Sequence, residues 1–304
     1  MTGVQTCALP ISHEVEILGQ QFRIERIGTD GDMARFAQMF LDLEGKVDAL
    51  GVGGADIYVV VDKRRYAFRQ ILNIVKKVQA TPVVDGSGLK HTLEREAILE
   101  LQNSGVVDFA RQRALLVSAV DRFGMAQALA EVCPNVVYGD LMFGVGLPIR
   151  IRSYRTVRWI GSLLLPILTK LPFQWFYPTG EKQEKRTPKF GWAFQEATFI
   201  AGDTHFIKRY APDRLDGKTI LTQTLRKDTI AWFKAAGVER LIATTPVMGG
   251  ETFATNVMEG VIVALLGKRP EDIAESEILD VLKRLDWKPT VLDLSGDSEQ
   301  PPEP

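Results

Sequence analysis

The chain has 304 residues, of which 45% are hydrophobic and 25% are charged, a composition typical of globular proteins and sufficient for one large or two moderate domains. Its formal net charge of −1 provides no overall positive field, so we expect no nucleic-acid partner. With only Cys7 and Cys133, the sequence supports neither a disulfide framework nor a cysteine zinc site, which favours the cytoplasm.

The N-terminal segment Met1 to Ile11 has neither helical nor strand periodicity, and it carries too little positive charge for a signal peptide. It matches the translation of a common sequencing-library primer read from a GTG start. We therefore expect residues 1–12 to be an artefact of sequence assembly that stands in place of the native N-terminus. Amplifying the gene from source DNA tests this expectation, and codons contiguous with the gene would show that the segment is native.

Strand and helix patterns alternate through the first part of the chain. Two short alternating runs within residues 15–27 flank Gly19-Gln20-Gln21 and predict a strand hairpin. Asp30-Gly31-Asp32 then caps a predicted helix at 33–43. Further along we predict a strand at 47–52, a hairpin at 57–68, a helix at 71–78, a strand at 81–84 and a helix at 90–103.

The clearest pattern is a strand, loop, helix and strand between Ala114 and Asp140, followed by apolar runs at 198–201, 219–221 and 241–243. Strands that alternate with helices predict parallel pairing with right-handed crossovers. We therefore expect a Rossmann-like α/β fold, with a mostly parallel sheet, flanking helices and two lobes. The expected lobes are residues 13–108 and residues 109–294, and a disordered polar tail follows at 295–304.

The most apolar segment is Ser153 to Tyr177. Its uncharged run, Trp159 to Thr169, is too short to span a bilayer. The segment predicts a buried crossover helix broken at Pro166 and Pro172. Because arginines precede the run and aromatic residues follow it, the alternative is a helix that lies on a membrane surface through residues 150–177.

A candidate cofactor site follows the strand that begins at Ala114. The turn Ala119 to Gly124 has glycine only at the third position of a dinucleotide fingerprint. Asp121 would repel a diphosphate, Arg122 would offset that repulsion, and Asp140 stands where a ribose-binding acid belongs. The candidate NAD or NADP ligands are Asp121, Arg122, Gly124, Asp140 and Thr244, the last at a neighbouring strand tip. The alternative is that Gly124 only permits close helix packing.

Two glycine loops are candidate anion sites. In the loop that begins at Asp85, glycines expose backbone amides at a helix start, so Asp85, Ser87 and Gly88 are candidate substrate or anion ligands. Lys90 adds a positive charge there and is a candidate catalytic residue, although an ordinary turn with a solvated lysine explains the pattern as well. Asp56, in a similar loop, either binds a hydroxyl-bearing ligand or caps a helix.

Three further residues are candidates for proton transfer. Asp203 and His205 follow a predicted strand end, where an aspartate can orient a histidine. Lys182 lies in a polar loop and could act as acid or base if burial lowered its pKa, whereas a solvated loop is the alternative.

The last candidate ligands are Asn256 and Glu259. They are three residues apart on one helical face that looks toward the strand tips, although packing and capping explain them equally well. Since the chain has only three histidines, we expect no histidine-rich metal site. Carboxylates could still hold magnesium.

Five segments resemble an uncharacterised bacterial family labelled quinate or shikimate 5-dehydrogenase-like: VVDGSGLKHTLERE (83–96), SAVDRFGMA (118–126), YPTGEKQEK (177–185), AGDTHFIKRY (201–210) and GGETFATNVMEG (249–260). The resemblance runs from His13 to Leu294. It implies NAD(P)-dependent oxidation of a ring hydroxyl, with a lysine and an aspartate handling the proton. Lys90 is the nearest analogue of that lysine, whereas Ala119 and Asp121 replace glycines of the family's turn.

Three functions remain open at this stage. The first is an NAD(P)-dependent dehydrogenase acting on a small-molecule substrate. The second is a transferase or ligase-like enzyme that uses the glycine loops for a phosphorylated or nucleotide ligand, with magnesium. The third is a protein without catalytic activity that binds a ligand or a membrane surface.

Overall fold

The computed structural model describes residues 2–5, 11–62, 64–171, 186–245, 247–248 and 251–295. The chain forms two compact units. The first unit comprises residues 1–92, 162–183 and 254–287, and the second comprises residues 93–161, 184–253 and 288–304. The division does not follow a single cut, because two later segments return to the first unit.

The strands and helices follow the predicted α/β alternation. The strands are Thr2–Gln5 (β1), Ile11–Ile17 (β2), Gln20–Gly28 (β3), Leu50–Gly53 (β4), Tyr58–Val61 (β5), Arg64–Ala67 (β6), Val83–Val84 (β7), Ala114–Leu116 (β8), Val136–Tyr138 (β9), Phe199–Ala201 (β10), Thr219–Thr222 (β11), Arg240–Ala243 (β12), Val247–Met248 (β13), Glu251–Thr252 (β14) and Thr290–Asp293 (β15). The helices are Met33–Leu43 (α1), Arg69–Val75 (α2), Ser87–His91 (α3), Leu93–Asn103 (α4), Phe123–Val132 (α5), Tyr154–Leu168 (α6), Gly191–Glu196 (α7), Thr204–Tyr210 (α8), Lys227–Ala235 (α9), Thr255–Leu266 (α10) and Glu275–Arg284 (α11).

The first unit has a five-stranded sheet in the order β2-β3-β1-β4-β7. β2 and β3 form the predicted antiparallel hairpin, whereas β1, β4 and β7 pair in parallel with their neighbours. β1 lies between β3 and β4, although its residues belong to the expected assembly artefact. α1 has the predicted bounds, because Asp32 accepts hydrogen bonds from the amides of Ala34 and Arg35 and so caps the helix.

Helix α10 returns to the first unit from late in the chain and packs on α3, β4 and β7. Every residue of its first nine, Thr255 to Val263, is buried. The sequence explains this, since a helix that is apolar on all sides must be covered on all sides. Its N-terminal turn therefore lies beside the loops that follow β4 and β7.

The second unit has a six-stranded sheet in the order β15-β12-β11-β10-β8-β9. β8 to β12 pair in parallel, and β15 joins the edge beside β12 in the opposite direction. The α/β prediction is confirmed. The expectation of a mostly parallel sheet is corrected to mixed sheets, because the first sheet contains an antiparallel hairpin and the second ends in an antiparallel edge strand.

Helix α6 departs from its prediction. It runs through Pro166 to Leu168, so the expected break at Pro166 is wrong, and Pro172 lies outside the described residues. The expectation of a buried crossover helix is also wrong, because Trp159, Leu163 and Ile167 are exposed. In the part of the chain that the structure describes, no helix is both long and apolar enough to cross a bilayer.

Candidate functional site

The glycine loop after β7 directs backbone amides toward a carboxylate, as predicted for an anion site, but this carboxylate belongs to the chain itself. The Glu259 carboxylate accepts hydrogen bonds from the Gly86 amide at 2.6 Å and from the Gly88 amide at 3.0 Å. Glu259 is only 8% exposed, and α10 brings it to the loop. Its two oxygens therefore stand where a phosphate or carboxylate ligand was expected.

The remaining amide of this loop is also occupied. Asp85 accepts from the Ser87 amide at 3.0 Å through one oxygen and from the amides of Ile57 and Tyr58 at 2.7 and 2.8 Å through the other. A buried carboxylate with three amide donors is well satisfied. Asp85, Ser87 and Gly88 thus lie together as predicted, but their partners are groups of the protein itself: each other, the amides of Ile57 and Tyr58, and the Glu259 carboxylate.

Burial raises the pKa of Glu259 to about 7, and repulsion from the nearby Asp85 adds to the effect. The amides of Gly86 and Gly88 oppose it, because they favour the charged form. Glu259 is therefore poised to gain or lose a proton near neutral pH, which changes the charge of a buried site.

Two other predicted residues form an ion pair in the same unit. The Lys90 ammonium lies 2.8 Å from the Asp56 carboxylate, and both side chains are almost buried. Asn256, on α10, donates from its side-chain amide to the Val52 carbonyl at 2.9 Å. Asn256 and Glu259 face the strand tips as predicted, and the contacts described for them are to backbone groups of the first unit.

We predict that Gly86 cannot be replaced without loss of stability. Its φ is +87°, and an added Cβ would lie 2.7 Å from the Thr255 hydroxyl and 2.8 Å from the Asn256 amide. Gly45 is a matched control in the same unit, because its φ is +72° and no atom lies within 4 Å of an added Cβ. In urea unfolding we expect Gly86→Ala to lose about 1–3 kcal/mol more than Gly45→Ala. Equal losses would show that α10 can move away from the loop.

The turn after β8 in the second unit is closed in a similar way. The Asp140 carboxylate accepts from the Ala119 amide at 3.2 Å and from the Val120 amide at 2.9 Å. Burial raises the pKa of Asp140 to about 6, against the effect of these two amides. The turn does not fit a dinucleotide, because a carboxylate binds the amides that a pyrophosphate would need, and Asp140 faces the turn rather than a ribose.

Next to this turn, Arg122 is the centre of a buried ionic cluster. Its Nη1 donates to Glu94, its Nη2 donates to Asp203 at 2.9 Å, and its Nε donates to Asp121 at 3.2 Å. Arg122 is 4% exposed, and Glu94 is fully buried. Three carboxylates on one guanidinium give a formal charge of −2 when all are ionised. We call Glu94, Asp121, Arg122 and Asp203 the Arg122 cluster.

Amide and hydroxyl groups extend the Arg122 cluster. Gln223 donates from its side chain to Asp203 at 2.5 Å and accepts from the Thr222 hydroxyl at 2.8 Å. The hydroxyls of Thr204 and Thr222 lie 2.5 Å apart, and the Thr204 amide donates to Gln223 at 3.3 Å. These residues stand at the carboxyl ends of β10 and β11, so the loops of neighbouring strands supply one polar network.

The expected pairing of Asp203 with the His205 side chain is corrected. Asp203 caps α8 by accepting from the backbone amides of His205 and Phe206, and its second oxygen binds Arg122 and Gln223. His205 is exposed. Both oxygens of Asp203 are thus occupied, one by capping α8 and the other by the Arg122 cluster. An aspartate that directly precedes a helix commonly caps it in this way.

The remaining candidates have simpler positions. Gly124 is buried in the first turn of α5, and Thr244 is fully buried after β12, where its amide donates to the Thr222 carbonyl. Lys182 lies outside the described residues. No group of three or more histidine, cysteine, aspartate or glutamate side chains within the described ranges is arranged to hold a metal ion.

Sequence reasoning missed Glu94 and Gln223. A signal existed for Glu94, because it shares the helical spacing of the buried residues Ala97, Ile98 and Leu101 on α4. A carboxylate on an apolar face requires a buried partner. Gln223 follows one of the predicted strands. Its role, a hydrogen bond to Asp203, could not be predicted because only the folded sheet brings the two residues together.

Two family models match the chain. One, described as "Domain of unknown function (DUF8754)", matches residues 88–294, and the other, described as "Domain of unknown function (DUF8753)", matches residues 11–85. None of the curated proteins matches.

Several solved structures match the chain at low identity. A periplasmic solute-binding protein of an ABC transporter from Actinobacillus succinogenes 130z, with bound D-allose, is 10% identical over 89% of this chain and 87% of its own, with a TM-score of 0.34. A galactofuranose-binding protein is 12% identical over 89% and 84%, with a TM-score of 0.33. A substrate-binding protein of a sugar ABC transport system from Bordetella parapertussis 12822 is 11% identical over 99% and 91%, with a TM-score of 0.34.

These matches correct the resemblance drawn from the sequence. Membership of a quinate or shikimate 5-dehydrogenase-like family is wrong, because the matching family models are the two domains of unknown function. The expected oxidoreductase function is corrected with it, because neither matching family model is described as a dehydrogenase. The closed turn at Ala119 and Val120 gives the physical reason.

Proposed function

The chain belongs to the family described as domain of unknown function DUF8754, and from its own residues we propose that it is a binding protein for a small molecule rich in hydrogen-bond donors, held at the Arg122 cluster. The observation that carries the proposal is that three carboxylates, with side chains only 0%, 10% and 16% exposed, converge on the guanidinium of Arg122. Such a cluster costs more free energy to bury than a pair of apolar side chains, so stability alone does not explain it.

The position of the Arg122 cluster in the sheet supports a ligand site. The chain passes from β8 to β9 on one side and then places β10 on the other side of β8. In open α/β sheets, ligands bind where the strand order reverses in this way, at the carboxyl ends of the strands. Arg122 follows β8 and Asp203 follows β10, so their contact lies at this reversal. The strand order also supports a Rossmann-like description of the second unit.

The charge of the cluster restricts the class of ligand. Asp121 and Asp203 would repel a phosphate, and Arg122 already donates through all three of its nitrogen positions. Hydroxyl and ammonium groups are suited to the site instead, because carboxylates accept hydrogen bonds from both. We therefore propose a neutral polyhydroxylated molecule or an amine as the ligand, and not a nucleotide or a sugar phosphate.

A thermal-shift screen tests the proposal. The full chain is heated with neutral sugars and polyols, with amines, with sugar phosphates, and with NAD and NADP. We expect stabilisation by at least one neutral or cationic compound, since a ligand at 100 times its dissociation constant stabilises a protein by about 2.7 kcal/mol. We expect none from the phosphorylated compounds.

Two asparagine variants locate the binding site. Asp203→Asn removes one negative charge from the Arg122 cluster, and we expect it to weaken ligand binding about tenfold or more, as expected for a charge-assisted hydrogen bond. Asp216→Asn is the control, because Asp216 forms an exposed ion pair with Arg214, and binding should remain unchanged. Stabilisation by NADP or a sugar phosphate alone would contradict the proposal.

A further inference from the structure

The exposed face of α6 is unusually apolar. Trp159, Leu163 and Ile167 are 67%, 55% and 61% exposed, and their spacing of four residues places them in one stripe along the helix. The opposite face is buried through Val157 and Leu165. A helix with apolar residues on opposite faces is normally covered on both, but the described part of the chain covers only one.

The segment before α6 also exposes apolar side chains. Val145, Leu147 and Ile149 are each more than 40% exposed. Among the described residues, six of the nine exposed large apolar side chains therefore fall between positions 145 and 167. Exposed apolar side chains are common singly, but a concentration in one short segment marks an interaction surface.

The charge of the same segment is entirely positive. Between Asp140 and Glu181 the sequence contains no acidic residue, although the chain as a whole has a net charge of −1. The basic residues in this interval are Arg150, Arg152, Arg155, Arg158 and Lys170. Arg152, Arg155 and Lys170 are exposed, and Arg155 and Lys170 flank the apolar stripe at either end.

We infer that α6 lies flat on an anionic lipid membrane, with the stripe Trp159, Leu163 and Ile167 in the boundary between headgroups and acyl chains. Arg152, Arg155 and Lys170 then contact lipid phosphates. Tryptophan suits this boundary because its ring is apolar and its N–H is polar. The helix has fifteen residues, or about 22 Å, so it is long enough to bind along the surface and shorter than a bilayer core of roughly 30 Å.

Charge also favours a membrane over a second copy of the chain. A symmetric dimer places the same surface of both copies together, so that arginines would face arginines without an acidic partner in the segment. An anionic membrane supplies phosphates to Arg152, Arg155 and Lys170, whereas Arg150 is already paired with Glu196. The inference concerns a different surface from the Arg122 cluster and does not depend on the proposed ligand.

Co-sedimentation with lipid vesicles tests the inference on the full chain. We expect the protein to sediment with vesicles of phosphatidylcholine mixed with phosphatidylglycerol, and to remain in the supernatant with phosphatidylcholine alone. Leu163→Glu should weaken binding about tenfold or more, because it removes a buried apolar side chain from the lipid and adds a negative charge. Arg155→Gln should weaken binding about fivefold and reduce its dependence on salt.

Leu41→Glu is the matched control, since Leu41 is an exposed leucine on another helix, α1, and this variant should bind as the unmodified protein does. Circular dichroism confirms that each variant is folded. Failure to bind anionic vesicles, or binding unaffected by Leu163→Glu, would overturn the inference. It would also be overturned if sedimentation velocity showed a dimer that Leu163→Glu converts to a monomer, because the stripe would then be an interface between copies.

Discussion

Replacing Arg122 by methionine is expected to lower the free energy of unfolding by about 3–5 kcal/mol. The guanidinium is the cation that Glu94, Asp121 and Asp203 share, and its removal takes away the ion-pair partner that holds these three carboxylates close together. Glu94 is fully buried, so water cannot replace the lost hydrogen bond. Urea unfolding at neutral pH measures the loss. The free energy of unfolding of Arg122→Lys should lie between those of the unmodified protein and of Arg122→Met, because an ammonium keeps the charge but cannot reach all three partners.

Two comparisons separate this effect from a general loss of packing. Arg214→Met removes an arginine from an exposed ion pair with Asp216 and should leave stability almost unchanged. The double variant Arg122→Met, Glu94→Gln should recover part of the loss, because it removes one of the carboxylate charges that had shared the guanidinium. A loss at Arg122 no larger than that at Arg214, or fully additive effects in the double variant, would show that the cluster is not an electrostatic unit.

Replacing Glu259 by glutamine is expected to remove a pH dependence of stability. The folded pKa of Glu259 is about 7, above its ordinary value of 4.5. Between these values the folded chain holds more protons than the unfolded chain, so the free energy of unfolding falls as the pH rises. The full decline attributable to Glu259 is about 3 kcal/mol and is complete only above pH 7. In Glu259→Gln this decline should be absent.

The glutamine variant should also be less stable than the unmodified protein at acidic pH, by about 1 kcal/mol, because its NH₂ group cannot accept a hydrogen bond from a loop amide. Because the decline exceeds 1 kcal/mol from about pH 5, the glutamine variant should be the more stable of the two between pH 6 and 8. The decisive interval lies between about pH 6 and 8, where Glu259 titrates, and Asp140, with a pKa of about 6, titrates in both proteins and cancels in the difference. Burial lowers the pKa of His91, but His91 titrates in both proteins and cancels in the difference.

Glu277→Gln is the control for this experiment, because Glu277 is paired with Lys268 near the surface and its pKa is lowered. It should leave the slope between pH 6 and 8 unchanged. Parallel stability curves for the Glu259→Gln variant and the unmodified protein would mean that Glu259 remains ionised in the folded chain throughout this interval.

The local patterns of the sequence predicted much of the architecture. The bounds of α1 were correct because an N-cap aspartate and an apolar spacing indicate the same helix. The alternation of strands and helices after Ala114 was correct for the same reason, that each element has its own period. The helical face that was predicted for Asn256 and Glu259 was also correct, because both residues lie in the first turns of α10.

The occupants of the glycine loops could not be predicted from local patterns. The sequence indicated that the amides of Gly86 and Gly88 would bind an anion, and they do. The anion belongs to Glu259, which is 173 residues from Gly86 along the chain. Which carboxylate reaches a loop depends on the path of the whole chain, and residue spacing contains no information on that path.

The same limit applies to α6 and to the Arg122 cluster. An apolar helix predicts burial, but only the fold shows that Trp159, Leu163 and Ile167 lack a cover among the described residues. The role of Asp203 was sought in His205, its neighbour in sequence, whereas its partners in the fold are Arg122 and Gln223. Proximity in sequence therefore predicted the correct position of Asp203, after a strand end, but the wrong partner for its side chain.

Internal carboxylates occupy the amides of the glycine loop after β7 and of the turn after β8. We propose that the Arg122 cluster is therefore the site at which a ligand that donates hydrogen bonds can bind. Titration calorimetry of the full chain with pyrophosphate tests it most directly, because pyrophosphate is the group that an open glycine loop binds. We predict no saturable heat at neutral pH. Saturable binding of pyrophosphate would contradict this claim, and its loss in Gly86→Ala would assign the binding to the loop after β7.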